Sequence, residues 1–212
     1  MADRERLEEK IRELEGRKWD TAGIEKRIKT LIADGILGKR FERDKLRADK
    51  EEVLDRVQCR AEEYNFFLKN CAQGTALALM EEFGLGNMEI VTALTAFPAI
   101  GGTGEVCGGV TGALVAFGLY FGGKGIPDEK ATGAVMMTSQ RFITLFRDKI
   151  GHTACREIQE NVIFGRNMDP GTSRENMEAF ARAKGFEKCG LPPGIGARTA
   201  AELLIEEQLQ FS

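Results

Sequence analysis

The sequence predicts an all-α protein, a helical bundle around one buried central helix rich in glycine and alanine. Three observations carry this. Apolar residues recur at spacings of three and four along most of the 212-residue chain. Runs that alternate apolar and polar residues are lacking, and β-branched residues are sparse. The stretch from Val106 to Gly123 carries no charge, as befits a helix buried inside a bundle.

The elements follow in order. Residues 1–50 hold 15 Lys/Arg and 12 Asp/Glu, whereas the rest of the chain holds 15 basic and 21 acidic residues. The shift divides the chain into a charged helical extension, 1–50, and a main domain, 51–212. Leu7, Ile11 and Leu14 mark one helix of the extension. Ile24, Ile28, Leu31 and Ile32 mark a second, with Ala33-Asp34-Gly35 as a turn. Stripes this thin need a surface to cover, either the main domain or another chain, and they predict a homodimer or higher oligomer.

Asp49, with Glu52 three residues on, opens a helix whose face is Val53, Val57, Ala61, Tyr64 and Leu68. Asn70 caps a helix from Cys71 to Phe83, closed by Gly84. A helix from Met88 to Phe97 stops at Pro98. The glycine loop Gly101-Gly102-Thr103-Gly104 leads into the central helix, Glu105 to about Phe121. Long amphipathic periodicity runs from Asp128 to Ile150. Thr153 opens a short helix to about Phe164, and helices over Ser173–Lys184 and Gly196–Gln210 complete the set.

Composition narrows the function. A net charge of −3 and a pI near 5.5 exclude a strongly basic nucleic-acid binder. Arg17, Lys18, Lys26, Arg27, Lys29, Lys39, Arg40, Arg43 and Lys45 are interleaved with acids, so they read as solvated helix faces, with no nucleic-acid partner. His152 is the lone histidine, so sites needing two imidazoles from one chain are excluded. The uncharged 106–123 run is marginal for a membrane span and reads as a core helix, with no membrane partner. The N-terminus is charged from residue 3 and shows no export signal. A reducing cytoplasm is therefore expected, where cysteines stay thiols unless they bind metal or do redox work. Phosphate loops, nucleotide fingerprints and hydrolase elbows are missing, which favours a redox protein over a hydrolase or transferase.

The cysteines are Cys59, Cys71, Cys107, Cys155 and Cys189. Cys71, Cys107 and Cys155 fall at predicted helix starts, where unpaired N–H groups and the helix dipole favour thiolate. Cys189 lies in Lys188-Cys189-Gly190-Leu191-Pro192-Pro193-Gly194, which reads as an irregular loop. Gly108, Gly109 and Gly112 after Cys107 allow another backbone or a cofactor to approach closely. Cys59 points away from the stripe of its helix and reads as a bystander. Spacings of 36, 48 and 34 residues contain no CxxC and no CxxCH, so zinc-ribbon, thioredoxin and c-type haem motifs are unmatched.

Asn70-Cys71-Ala72-Gln73, Gly104-Glu105-Val106-Cys107-Gly108-Gly109-Val110-Thr111-Gly112-Ala113, Gly151-His152-Thr153-Ala154-Cys155-Arg156-Glu157 and Cys189 resemble the C_GCAxxG_C_C family over about residues 60–205. Gly109 stands where the family's pattern has alanine. The resemblance implies redox activity, and a similar region in split-Soret cytochromes suggests electron transfer. The resulting expectation is an electron-transfer protein with a redox partner protein. Cys71, Cys107, Cys155 and Cys189 would hold an iron–sulfur cluster of two or four irons. Gly108, Gly109, Gly112 and His152 would line the cofactor, His152 as a hydrogen-bond or proton-relay group. A metal-free dithiol protein and a structural zinc or interaction module are the alternatives.

Overall fold

A computed structural model describes residues 3–39, 42–123 and 125–211. Arg40 lies outside them, as do the side chains of Arg43 and Lys45. Among the described residues the chain is all-α, and its one β-like feature is an antiparallel bridge between Val106 and Ala154. No helix among them is long and apolar enough to cross a membrane.

The core is built from α4 (Lys50–Leu68), α5 (Cys71–Phe83), α8 (Gly108–Gly122), α9 (Glu129–Ile150) and α13 (Leu191–Phe211). Helix α5 buries Ala76, Leu77, Leu79 and Met80, because it is flanked by α4, α8 and α13. The Gly/Ala-rich α8 lies beside it, with its first half buried. Glycine makes this approach possible. A Cβ on Gly112 would lie 2.5 Å from the Ala72 carbonyl, and one on Gly109 would lie 2.7 Å from the Pro192 carbonyl. Phe117 of α8 meets Phe142 of α9 edge-on at 5.5 Å.

Side-chain caps set several helix starts. Asn70 Oδ1 accepts from the Gln73 N–H at 3.0 Å, Asp128 Oδ1 from Ala131 at 2.8 Å, and Ser173 Oγ from Asn176 at 3.1 Å. Asp49 starts α4 without a side-chain cap bond, contrary to the capping-box expectation. Helix α8 begins at Gly108 rather than Glu105, because Glu105 and Val106 are drawn out to pair with the segment before Cys155. The last helix begins at Leu191, five residues before the expected start. Pro192, Pro193 and Gly194 thus lie in its first turn, where a missing N–H leaves no bond unmade. Helix α6 (Met88–Ala93) narrows to a 3-10 turn over Leu94–Ala96, the short α7 (Ala99–Gly102) follows Pro98, and α11 (Arg174–Arg182) follows the Ser173 cap. The segment after Cys155 is a short helix, α10 (Cys155–Ile158), that widens to a π-turn over Gln159–Ile163. Helices α3 (Arg43–Ala48) and α12 (Gly185–Lys188) had no separate sequence signal.

The extension forms α1 (Arg4–Gly16) and α2 (Thr21–Asp34). Ile24, Ile28 and Leu31 of α2 join the main core, and Leu7, Ile11 and Leu14 of α1 cluster with Leu191. Glu62, buried on α4, binds Lys10 at 3.0 Å and Arg17 at 2.6 Å. Trp19 stacks on Phe66 with centroids 4.4 Å apart. The apolar stripes that suggested a second copy are thus covered within one chain, save Ile32, which is exposed.

Candidate functional site

The four motif cysteines come from four places in the sequence and face one region. Cys71 is the first residue of α5, held there by the Asn70 cap, whose Nδ2 also donates to the Thr95 carbonyl at 3.2 Å. Cys107 caps α8. Its N–H donates to the Thr153 carbonyl at 2.9 Å, while the Cys155 N–H donates to the Glu105 carbonyl at 2.7 Å. This antiparallel bridge brings Cys107 and Cys155 together across 48 residues of chain. Cys189 closes α12, its N–H bonded to the Gly185 carbonyl at 2.9 Å, just before α13. Leu14 of the extension packs 3.4 Å from the position of a Cβ on Gly190, next to Cys189.

Cys71 and Cys107 form a hydrogen-bonded pair. The bond from Cys107 pushes the Cys71 thiol down; burial opposes this, and the N–H groups of Gly108, Cys71 and Ala72 add to the lowering. The same bond, then burial and the charges on Cys71 and Cys155, push the Cys107 thiol well up. The two thiols are thus coupled, Cys71 pushed down and Cys107 pushed up. Burial pushes the Cys155 thiol up to about 12, aided by the charges of Cys71 and Asp169 and opposed by a bond from Gln159. Burial, then Cys155, Cys71 and Asp169, push the Cys189 thiol well up.

Cys71, Cys155 and Cys189 line a cavity of about 650 Å³, while Cys107 is buried behind Cys71. Pro98, Ala99, Gly101 and Gly102 form one rim and Asp169, Pro170 and Gly171 another. Ala99 and Ile100 hold φ of 50° and 49°, a strained left-handed pair at the cavity edge.

Of the predicted glycines, Gly108 sits against the sulfur: a Cβ there would lie 2.2 Å from Cys71 Sγ. The room left by Gly109 and Gly112 is taken by the backbones of α13 and α5, so they serve helix packing rather than an open cofactor volume. His152 does not line the cavity, and its Nδ1 lies 3.2 Å from Glu157 Oε2. Cys59 is exposed on α4.

Three residues had not been singled out in the sequence. Buried Gln159 donates to Cys155 Sγ at 3.6 Å and accepts from the Met168 N–H at 2.7 Å. Lys69, at a left-handed φ of 56°, stands at the cavity directly before the Asn70 cap. Asp169 is buried, and its Oδ1 accepts from Gly171 at 2.9 Å. Its Oδ2 is buried with no hydrogen-bond partner. The Asp-Pro-Gly run announces a turn but carries no sign of burial.

The chemistry of the donor set is that of three thiols lining one cavity and a fourth, Cys107, buried behind Cys71. Among the described residues, no group of three or more Cys, His, Asp or Glu is placed to hold a single metal ion.

The family described as "Putative redox-active protein (C_GCAxxG_C_C)" matches residues 69–200, which include all four of these cysteines. No curated protein and no solved structure matches the chain.

Proposed function

The chain belongs to the C_GCAxxG_C_C family, and on that premise we propose that it is a thiol redox protein whose working couple is Cys71 and Cys107. One observation carries the reading: Cys71 faces the cavity with a hydrogen-bonded thiol, Cys107, directly behind it. The front sulfur is the attacking thiolate and the back one is the resolving thiol.

The oxidant is the disulfide of a partner or small molecule. Cys71 thiolate attacks one of its sulfurs, a mixed disulfide forms, and the first thiol leaves with the Cys107 proton. Cys107 thiolate then attacks Cys71 Sγ, and the second thiol leaves with a proton from water. Two protein thiols become one disulfide, and the partner disulfide becomes two thiols.

A second reading is favoured by Cys155 and Cys189, which a two-sulfur couple does not require. Four thiolates, three lining the cavity and Cys107 behind Cys71, suit an iron–sulfur cluster, whose cysteine ligands need not surround one point. Cys71, Cys107, Cys155 and Cys189 would hold it, and a bound cluster would supply one-electron transfer.

The test is anaerobic purification with iron and sulfide analysis, an absorption spectrum, and thiol counting before and after mild oxidation. The dithiol reading expects a colourless protein that loses two thiols, mapped by mass spectrometry to a Cys71–Cys107 link. Cys59→Ser should leave that loss intact. Stoichiometric iron and sulfide, with the four motif cysteines protected from alkylation, would overturn it for the cluster.

A further inference from the structure

The cavity in front of Cys71 is of a size that holds small ligands, and one residue of its wall, Asp169, has a buried oxygen without a partner. Among the described residues its lining carries one amine and one carboxyl side chain, Lys69 and Asp169. Lys69 is already engaged: its Nζ lies 3.8 Å from the Phe66 ring centre and 4.8 Å from that of Phe186. Asp169 is 4% exposed, its Oδ1 is used by the Gly171 N–H, and its Oδ2 has no partner. A buried carboxyl oxygen without a donor is costly, and of the donors that would satisfy it a cation bearing N–H makes the strongest bond. Phe180, Phe186, Met177 and Pro98 supply apolar walls for a short aliphatic chain.

We propose that this cavity binds a small organic disulfide bearing a primary ammonium group, with the ammonium on Asp169 Oδ2 and the S–S bond over Cys71 Sγ. The inference rests on the dithiol reading and names its substrate class. The electron balance is the one given above: the bound disulfide is reduced to two aminothiols as Cys71 and Cys107 are oxidised to a disulfide. The ammonium passes through unchanged and serves for recognition, so Asp169 is a specificity determinant.

The experiment uses the reduced full-length chain and three disulfides: cystamine, which is cationic, bis(2-hydroxyethyl) disulfide, which is neutral, and dithiodiglycolate, which is anionic. The rate of Cys71–Cys107 disulfide formation is followed by mass spectrometry. Each rate is divided by that of the same compound with free cysteine, which removes intrinsic reactivity. Cystamine should exceed the neutral disulfide by about tenfold, the worth of one charge-assisted hydrogen bond. The anionic disulfide should be slowest. In Asp169→Asn the Oδ1 acceptor for Gly171 is kept and the charge is lost, so the cystamine-to-neutral ratio should fall close to one. Raising ionic strength on the unsubstituted chain should lower the same ratio, a check that needs no variant to fold. Equal normalised rates for the three compounds, or a preference for the anion, would overturn the ammonium site and leave the couple standing. Failure of all three to oxidise Cys71 and Cys107 would overturn the couple itself.

Discussion

Replacing Gly108 by alanine sets two known effects against each other. Alanine is the better helix former by about 1 kcal/mol, and Gly108 opens α8 with an ordinary negative φ. Propensity alone therefore predicts a gain. The added Cβ, however, would lie 2.2 Å from Cys71 Sγ and 2.5 Å from the Ala72 nitrogen, where contact distances are about 3.5–4.0 Å. The sulfur or the start of α5 must move by more than 1 Å, roughly the difference between those distances. Overpacking of this kind costs about 1–3 kcal/mol, and here the obstacle includes backbone. The expected net loss is about 1–2 kcal/mol, or roughly 2–8 °C in Tm for a chain of this size. Gly118, on the same helix, has nothing within 4 Å of its Cβ position and is the internal control. Gly118→Ala should raise Tm by roughly 2–4 °C. Thermal unfolding of the reduced protein reads both, and alkylation of Cys71 reads the site, which should slow at neutral pH in Gly108→Ala because the pair is disturbed. A Gly108→Ala protein as stable as Gly118→Ala, with Cys71 alkylation unchanged, would refute the close packing of sulfur on α8.

Cys107→Ala removes the hydrogen bond that lowers the Cys71 thiol, so the pH profile of Cys71 alkylation should move to higher pH and the rate at pH 7 should fall. In the reduced, metal-free protein, Cys155 keeps its proton to about 12, whereas an unfolded thiol loses it near about 8.5. The folded state then binds more protons across that window, so denaturant unfolding should show stability falling as pH rises through it. Leu14→Ala opens a cavity at a fully buried position against Leu191 and beside Gly190. It should cost about 2–4 kcal/mol in urea unfolding and speed alkylation of Cys189, the nearest cysteine to that contact.

Much of the helix order is legible in the sequence because helix periodicity and caps are local. Cys71 to Phe83 between Asn70 and Gly84 is read correctly, since Asn and Gly act within one turn of the helix they bound. The starts of α8 and α13 are misplaced by three and five residues because their positions depend on distant partners: Ala154 for the first, and Gly109 with Glu62 for the second. Pro192-Pro193-Gly194 reads as a loop by composition, yet packing of Pro192 on Gly109 makes it the first turn of a helix.

The sequence by itself determined an all-α chain with three cysteines at helix starts and a fourth in a Gly-Pro segment, because residue spacing and helix ends are properties of adjacent residues. Tertiary structure alone decided which sulfurs meet. The Val106–Ala154 bridge, the glycines of α8 and the extension clasped to Glu62 bring residues far apart in sequence into contact. It also decided which way each thiol is shifted, since the lowering of Cys71 comes from Cys107 and the raising of Cys155 from burial, then Cys71 and Asp169. Those are through-space effects of desolvation and charge, and no local pattern around Asp169 or Gln159 encodes them.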